Sequence, residues 1–314
     1  MLINAKRMMA GSLFAMLVGG LGSTASAVPL DQVSGDVLFK FLGGSTGQNT
    51  FTSGPCGVGG GCENTWVGAT LTQIVDSNSL LPVFNQGENG QYLAAILYGV
   101  SDISITPGGI FGQTIYSAGA TSAGTGGAGD GRIYVDIYLR NSAPDLSGGP
   151  ADRTGYNTYN GISDGGSLFL RLELTEGIAV DDPTTAGVDE SLATLVQDAT
   201  AATNPATGQG TFYANVIGGS AQAQFNGNGF LMPNNGQFAD MFGIFDFNVA
   251  RTDSPGIPGC TTPQGVTTIQ ETCWENRVSD PIEARTAVPE PGTVGLAGFA
   301  LLALGAFRRR LRRG

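Results

Sequence analysis

The side chains of this sequence that could do chemistry are carboxylates, because the chain contains no histidine. Catalytic sites of the Ser-His-Asp or Cys-His kind are therefore excluded, and so are zinc or iron sites built on imidazole. Paired acids, as in glycoside hydrolysis, remain available. By residue type the candidates are Asp136, Glu173, Asp181, Asp182 and Asp246. Solvated strand faces and turns explain the same residues without catalysis, so we predict no catalytic residue and no enzyme.

Oxygen ligands for calcium are plentiful, but their spacing is not that of a known calcium loop. Residues 126–131 resemble the start of a Gly-Gly-x-Gly-x-Asp repeat that is one residue short and occurs once, whereas such repeats act in stacks. The acidic pairs 181–182 and 189–190 lie in loop contexts, where solvated acids are the common case. We predict no cofactor and no metal ligand, and leave structural calcium open.

Four tyrosines offer a second kind of surface. Tyr134 and Tyr138 alternate on one face of a predicted strand, and Tyr156 and Tyr159 follow in the next loop. Stacked rings on such a face could bind sugars. A second layer packed over the strand would explain the same residues, and both interpretations stay open.

The cysteines fall as two sequence-local pairs, Cys56 with Cys62 and Cys260 with Cys273. An even number in an exported chain predicts disulfides, and each pair brackets a loop that contains glycine or proline. A zinc site would need all four thiolates without any Cys-x-x-Cys spacing. Local disulfides are the prediction.

The elements that must position these residues are strands. Alternation of apolar and polar residues predicts them at 36–42, 66–75, 91–105, 131–140, 167–175, 211–217, 221–225 and 242–250. Helical spacing of apolar residues predicts one helix over 189–199. Residues 117–131, 141–166 and 252–266 are expected to be exposed loops. The sum is an all-β fold, an antiparallel β-sandwich (jelly-roll-like or related) with one short helix.

The first 27 residues have the order of a secretory signal. Lys6 and Arg7 precede the apolar run 8–21, and Ala25 and Ala27 fit the small-residue site at which signal peptidase cuts. This stretch is expected to be an N-terminal signal helix. The exported β-rich domain then spans 28–287.

The other end carries a second signal over residues 288–314. Val288, Pro289, Glu290 and Pro291 precede an uncharged apolar run at 294–307, which predicts a C-terminal hydrophobic, transmembrane helix. A stop-transfer cluster follows, consisting of Arg308, Arg309, Arg310, Arg312 and Arg313. Cationic residues beside an apolar segment remain cytoplasmic, so the bulk of the chain is expected outside.

This order resembles the PEP-CTERM sorting signal of bacterial surface proteins. The resemblance implies that an exosortase, a membrane-embedded enzyme, recognises Pro-Glu-Pro and processes the chain there. It also implies a Gram-negative source that makes extracellular polysaccharide, transient anchoring in the inner membrane, and a destination at the cell surface, the outer membrane or the extracellular matrix. In this reading Glu290 is a recognition residue of a substrate.

The net charge of the exported part limits the classes of molecule that it can bind. All 26 acids lie between residues 28 and 290, while seven of the 15 basic residues lie in the terminal signals, so eight basic residues remain and the exported part carries about −18. Such a surface repels nucleic acid and anionic lipid. We predict a structural or adhesive protein of the cell surface or biofilm matrix, with signal peptidase, exosortase and extracellular polysaccharide as partners. The alternative is a secreted carbohydrate-binding module or a carboxylate-dependent glycan-active enzyme.

Overall fold

A computed structural model describes residues 29–46, 63, 65–106, 114–120, 132–176, 193–197, 208–233, 236–249, 274 and 276–285. The strands in these ranges are β1 (Asp36–Thr46), β2 (Thr65–Asp76), β3 (Pro82–Asn85), β4 (Tyr92–Thr106), β5 (Thr114–Ala120), β6 (Tyr134–Arg140), β7 (Arg153–Gly155), β8 (Thr158–Tyr159), β9 (Ser167–Glu176), β10 (Ala193–Gln197), β11 (Gly208–Gly218), β12 (Phe230–Leu231), β13 (Phe238–Ala239), β14 (Met241–Val249) and β15 (Asn276–Arg285). A four-residue helix, α1 (Gln222–Phe225), and 3₁₀ turns at Leu30–Gln32, Glu88–Gly90 and Gly149–Asp152 accompany them.

Eight of these strands close into an antiparallel barrel. Their order is β1, β2, β4, β6, β9, β11, β14 and β15, and β15 pairs with β1 again. The closure depends on β2, which pairs with β1 on one side and with β4 on the other. The prediction of an all-β fold is confirmed, but the sandwich is wrong. Alternation is the same in both architectures, because it records which face of a strand is buried and not which strand lies beside it.

The inside of the barrel is filled by apolar side chains that alternate along every strand. An eight-stranded barrel is just wide enough for side chains to fill its interior. The buried residues that face inward from the barrel strands include Val37, Phe39, Phe41, Val67, Ala69, Leu71, Leu93, Ala95, Val135, Ile137, Leu170, Leu172, Leu174, Phe212, Ala214, Val216, Met241, Val278, Ile282 and Ala284. Burial of these side chains supplies the main driving force for closure.

Most predicted strands are present within one to three residues of their predicted ends, and the 91–105 stretch is one long strand, β4. Three local predictions of element type are wrong in or beside the sheet. Residues 117–120, predicted as the start of an exposed loop, belong to β5. Residues 193–197, inside the predicted helix, form β10, which pairs with both β5 and β11. Residues 222–225 form α1 instead of a strand, with Ala221 and Phe225 buried four residues apart. A short apolar pattern fits both the helical period and the strand period. Pairing with neighbouring strands therefore determines which element forms.

A β-bulge in β9 changes which leucines share a face. The sequence places Leu168 with Leu170, Leu172 and Leu174, but the pairing with β6 shifts register between Ile137 and Tyr138. Phe169 and Leu170 both pack inward, and Leu168 packs against the outer face. One inserted residue reverses the alternation, as a bulge must.

The two ends of the barrel differ. At one end β5 and β10 continue the wall between β4 and β11, beyond the first residue of β6 and the last residue of β9. The other end, here called the lower rim, carries Asp36, Asp76, Met241 and Arg285, where β1, β2, β14 and β15 meet. Phe225 of α1 and Leu30 of the first 3₁₀ turn are buried in the interior cluster.

Gly219, which follows β11, gives a stability prediction. Its φ is +100°, and a Cβ there would lie 2.3 Å from the Phe169 carbonyl oxygen and 2.6 Å from the Leu170 Cα. Both atoms are backbone, so no side-chain rotation relieves the clash. We expect Gly219→Ala to cost about 3 kcal/mol, the sum of a left-handed conformation and overpacking. Chemical denaturation of residues 28–287 measures it.

Gly165→Ala is the matched control. Gly165 also has positive φ, +66°, but an added Cβ there meets nothing within 4 Å. This variant should lose only about 1 kcal/mol. Equal costs for the two variants would contradict the clash at Gly219.

Candidate functional site

Residues 141–166, here called the strap, cross the outer face of the barrel over β2, β4 and β6. The strap was expected to be an exposed loop, and that expectation is wrong. Its residues Leu146, Tyr156, Tyr159 and Ile162 are buried against the barrel. The complete set in this outer layer is Trp66, Ala94, Ile96, Tyr98, Tyr134, Tyr138, Leu146, Tyr156, Tyr159, Ile162 and Trp274. The outer face of β6 therefore carries residues with polar groups, as the sequence indicates, but the strap covers this face and buries them.

The four tyrosines considered as a sugar-binding surface all belong to this layer. Tyr134, Tyr138, Tyr156 and Tyr159 are each less than 10 % exposed. The hydroxyl of Tyr159 donates to the Gly149 carbonyl at 2.9 Å. Of the two interpretations, packing of a second layer is the one that the structure supports.

Trp274 joins the strap to the barrel. Its ring lies 5.1 Å from that of Trp66 and 6.0 Å from that of Tyr159, and it is fully buried. Its Nε1–H donates to the Leu146 carbonyl at 3.1 Å. The indole packs directly on Gly44 of β1, where a Cβ would lie 2.4 Å from two ring atoms. Only glycine allows the ring to approach the strand this closely.

A buried ion pair holds the middle of the strap. Arg153 donates from Nη1 to Glu63 Oε2 at 2.7 Å and from Nη2 to Oε1 at 3.0 Å, and both side chains are almost fully buried. The Gly99 amide donates to the same carboxylate at 2.7 Å. The guanidinium also lies 4.4 Å from the Trp66 ring centroid, within cation–π range. Burial raises the pKa of Glu63, while Arg153 and the Gly99 amide oppose that rise.

Asp136 is the centre of a second buried cluster. Arg171 donates to its two oxygens from Nε and Nη2, both at 2.7 Å, in the bidentate geometry that favours arginine. The hydroxyls of Tyr98 and Tyr138 each donate to Oδ2 at 3.3 Å, and the Asn157 amide approaches it at 3.4 Å. Burial, followed by the negative charge of Asp136, raises the pKa of both tyrosines, so their hydroxyls stay protonated donors.

Arg140 fixes the far end of the strap. It is buried, and its Nη1 donates to the carbonyls of Ile162 and Asp164 at 2.6 Å and to the Asp164 carboxylate at 3.0 Å. The C-terminal end of the strap is thus attached to β6 by Arg140, and its middle is held by the Arg153–Glu63 pair. Arginine suits this role because its planar fork satisfies several acceptors at once.

The structure does not bring the candidate carboxylates together as a working pair. Asp136 is fully buried and bound by Arg171, whereas Glu173 pairs with Arg132 near the surface at 2.8 Å. Asp246 is exposed on β14. Asp181 and Asp182 lie outside the described residues. Each carboxylate that the structure places therefore has a structural partner or faces solvent.

A third buried carboxylate, Asp240, is also structural. Its Oδ2 accepts from the Val216 amide and its Oδ1 from the Asn228 amide, both at 2.8 Å. Within the described ranges, no group of three or more Cys, Asp or Glu side chains is placed to hold a metal ion. The Gly-rich stretch 126–131 and the acidic pair 189–190, considered for calcium, lie outside those ranges.

The predicted processing and crosslinking residues also lie outside the described part of the chain. They are Ala25, Ala27, Cys56, Cys62, Cys260, Cys273, Val288, Pro289, Glu290, Pro291, Arg308, Arg309, Arg310, Arg312 and Arg313. The structure therefore does not test signal cleavage, the local disulfides or the sorting motif, which stay predictions at this point. None of the helices in the described ranges combines the length and apolar character needed to cross a membrane.

Sequence reasoning missed the arginine–carboxylate pairs. Glu63 and Arg153 are 90 residues apart. Glu63 lies outside every predicted element, and Arg153 lies in a stretch predicted to be an exposed loop. The one available signal was Arg171, which interrupts the leucines of β9 on the polar face opposite Asp136. A cation and an anion that lie opposite each other on the outer faces of two adjacent strands form a favourable cross-strand pair.

Comparison with known proteins addresses the C-terminal end. The family model described as the PEP-CTERM protein-sorting motif matches residues 287–310. No curated protein and no solved structure matches the chain.

Proposed function

We propose that this chain, a PEP-CTERM domain-containing protein by its matched sorting motif, is a non-enzymatic structural or adhesive component of the cell surface or extracellular matrix. The motif itself means that the protein is exported, that its C-terminal end is in the membrane transiently, and that an exosortase processes it. The structural or adhesive role, and the Gram-negative outer surface as the destination of the protein, are what we propose beyond the motif.

The observation that supports the proposal is that the buried carboxylates are bound by hydrogen-bond donors of the protein itself. Glu63, Asp136 and Asp240 all accept hydrogen bonds from arginines or backbone amides, and the shortest bond of each is 2.7–2.8 Å long. A general acid or nucleophile needs access to substrate, and these groups are covered by the strap or by turns. Such groups stabilise a rigid body with a strongly acidic surface, which suits a soluble component outside the cell.

A genetic experiment in the producing bacterium tests this role. We expect deletion of the gene to reduce biofilm mass and flocculation, and the wild-type gene to restore both. The variant Arg132→Ala, which breaks the surface ion pair with Glu173, should restore them equally well. Release of reducing sugar from the producer's polysaccharide by purified residues 28–287 would overturn the non-enzymatic proposal.

Sorting itself gives a separate prediction. Replacing Pro289, Glu290 and Pro291 with alanine should block recognition by the exosortase while export proceeds. We expect the variant to accumulate in the membrane fraction as a longer species that keeps its C-terminal arginines. Immunoblotting of cell fractions with an antibody to the exported domain measures this. Normal release of the triple variant would mean that the processing enzyme reads another part of the chain.

A further inference from the structure

The most exposed large apolar side chains in the described ranges are four residues in two groups. Leu80 and Leu81, in the turn between β2 and β3, are 61 % and 66 % exposed. Leu231 and Phe238 are cross-strand partners in the β12–β13 hairpin and are 57 % and 54 % exposed. Water-facing apolar groups of this size, clustered rather than scattered, mark an interaction surface.

Both groups lie at the lower rim of the barrel. The turn that carries Leu80 is attached to β1, because the Ser77 amide donates to the Asp36 carbonyl at 2.9 Å. Arg285 connects the same corner to the hairpin. Its Nη1 donates to the Gly229 carbonyl at 2.9 Å, its guanidinium lies 4.6 Å from the Phe230 ring, and its Nε is 3.8 Å from Asp36 Oδ2.

The backbone of Leu80 adds an independent observation. Its φ is +58°, a left-handed conformation that costs a non-glycine residue about 1 kcal/mol. The turn is held by Asp76, whose Oδ1 accepts from the Asn78 amide at 3.1 Å and from the Ser79 amide at 2.7 Å. A fixed turn in a strained conformation that presents leucine to solvent points to a function for the exposed side chain.

The tail places this rim near a membrane. The sorting motif begins at residue 287, two residues after Arg285, and the apolar run begins at residue 294. Nine residues span at most about 30 Å when fully extended. While the C-terminal end is in the bilayer, the lower rim is therefore within about 30 Å of it. Ile244 lies on the outer face of β14, three residues from Met241 at the lower rim, and is therefore about 10 Å farther from a bilayer that the rim contacts.

We propose that the lower rim docks on the bilayer that holds the C-terminal end, with Leu80, Leu81, Leu231 and Phe238 entering the headgroup region. Attraction of charge cannot drive this contact, because the exported part is strongly acidic, so apolar burial must. Each contact is weak alone. A short tether raises the effective concentration of the rim at the surface to the millimolar range, so weak contacts suffice.

Docking would hold the barrel upright beside the membrane and fix the position of residues 286–291 relative to the bilayer surface. This inference goes beyond the structural role proposed above. Its failure would leave that role, and the sorting of the chain, unchanged.

Fluorescence quenching tests the proposal on the full chain, reconstituted through its own C-terminal end into phosphatidylcholine vesicles. The variant Phe238→Trp places a reporter on the rim, and Ile244→Trp places one on the barrel wall as the control. Trp66 and Trp274 are buried, so the wild-type chain supplies their background. We expect brominated acyl chains to reduce the emission of Phe238→Trp and to leave that of Ile244→Trp unchanged.

A second experiment tests whether the two groups of apolar residues contact the bilayer together. Leu80→Ser and Leu81→Ser, introduced together into Phe238→Trp, should reduce the quenching because they weaken docking without touching the reporter. Equal emission of Phe238→Trp in brominated and plain vesicles would overturn the proposal. So would quenching that is the same at both reporter positions, or burial of the rim in a dimer of the chain instead of lipid.

Discussion

Arg153→Met is expected to lower the free energy of unfolding of residues 28–287 by about 3–5 kcal/mol, the usual cost of removing one partner of a buried ion pair. Glu63 would keep the Gly99 amide but lose both hydrogen bonds from the guanidinium, in a place without solvent. Arg153 would also leave the Trp66 ring and the Tyr156 carbonyl, which it contacts as part of the strap. Urea denaturation measures the change.

Two variants show whether the loss comes from the buried charge. Arg132→Ala breaks the Glu173 pair, in which the arginine side chain is 54 % exposed, and should cost no more than about 1 kcal/mol. Glu63→Gln combined with Arg153→Met removes both charges and should recover part of the stability lost in Arg153→Met. If the double variant is no more stable than the single one, lost packing and not charge explains the effect.

The destabilisation by Arg153→Met should also depend on pH. Burial raises the pKa of Glu63 above its ordinary value of 4.5, so its contribution to stability is present at acid pH and is lost as the pH rises through the folded-state value. Removing Arg153 removes a positive charge that opposes this rise, and the pKa increases further. We therefore expect a larger loss of stability near pH 7 than near pH 4.5. An equal loss at both values would mean that Glu63 does not titrate in this range.

Local patterns in the sequence were sufficient for seven of the eight barrel strands, all except β15, because each strand buries one face. Residues 133–137, which include the start of β6, illustrate this. Ile133, Val135 and Ile137 face the interior as their alternation predicts, and Tyr134 and Asp136 lie on the opposite face. What alternation could not reveal is that the opposite face is covered as well. The cover comes from the strap, whose glycines, serines and aspartates are typical of an exposed loop.

Long-range pairing is the part that the sequence did not disclose. Closure of the barrel requires β2 to pair with β4, and the outer layer requires Glu63 to meet Arg153 across 90 residues. Neither of these long-range contacts produces a periodic pattern of apolar residues in the sequence. In the helix predicted over 189–199, backbone pairing of residues 193–197 with β5 and β11 prevailed over the apolar spacing. The sorting motif could be read from sequence alone because an enzyme recognises it as a short linear segment.

Trp274→Ala is the second substitution with a large expected effect. It removes a fully buried ring that packs on Gly44 and contacts Trp66 and Tyr159, and we expect a loss of about 3–5 kcal/mol. The Leu146 carbonyl loses its donor at the same time. Because this ring joins the strap to the barrel, the strap should open before the barrel does. Denaturation measures the first effect, and limited digestion with trypsin measures the second.

Trypsin distinguishes local opening from global unfolding because of where the arginines lie. Arg140 is buried at the end of β6, immediately before the strap, and Arg153 is buried in the middle of the strap, whereas Arg132 is exposed in the native protein. In Trp274→Ala we expect cleavage after Arg153 at denaturant concentrations where the barrel remains folded. Trp274→Phe keeps an aromatic ring on Gly44 but cannot donate to Leu146, so it should lose about 1–2 kcal/mol and keep Arg153 protected. If Arg153 becomes cleavable only when the whole barrel unfolds, the strap and the barrel are one cooperative unit, and Trp274 stabilises both together.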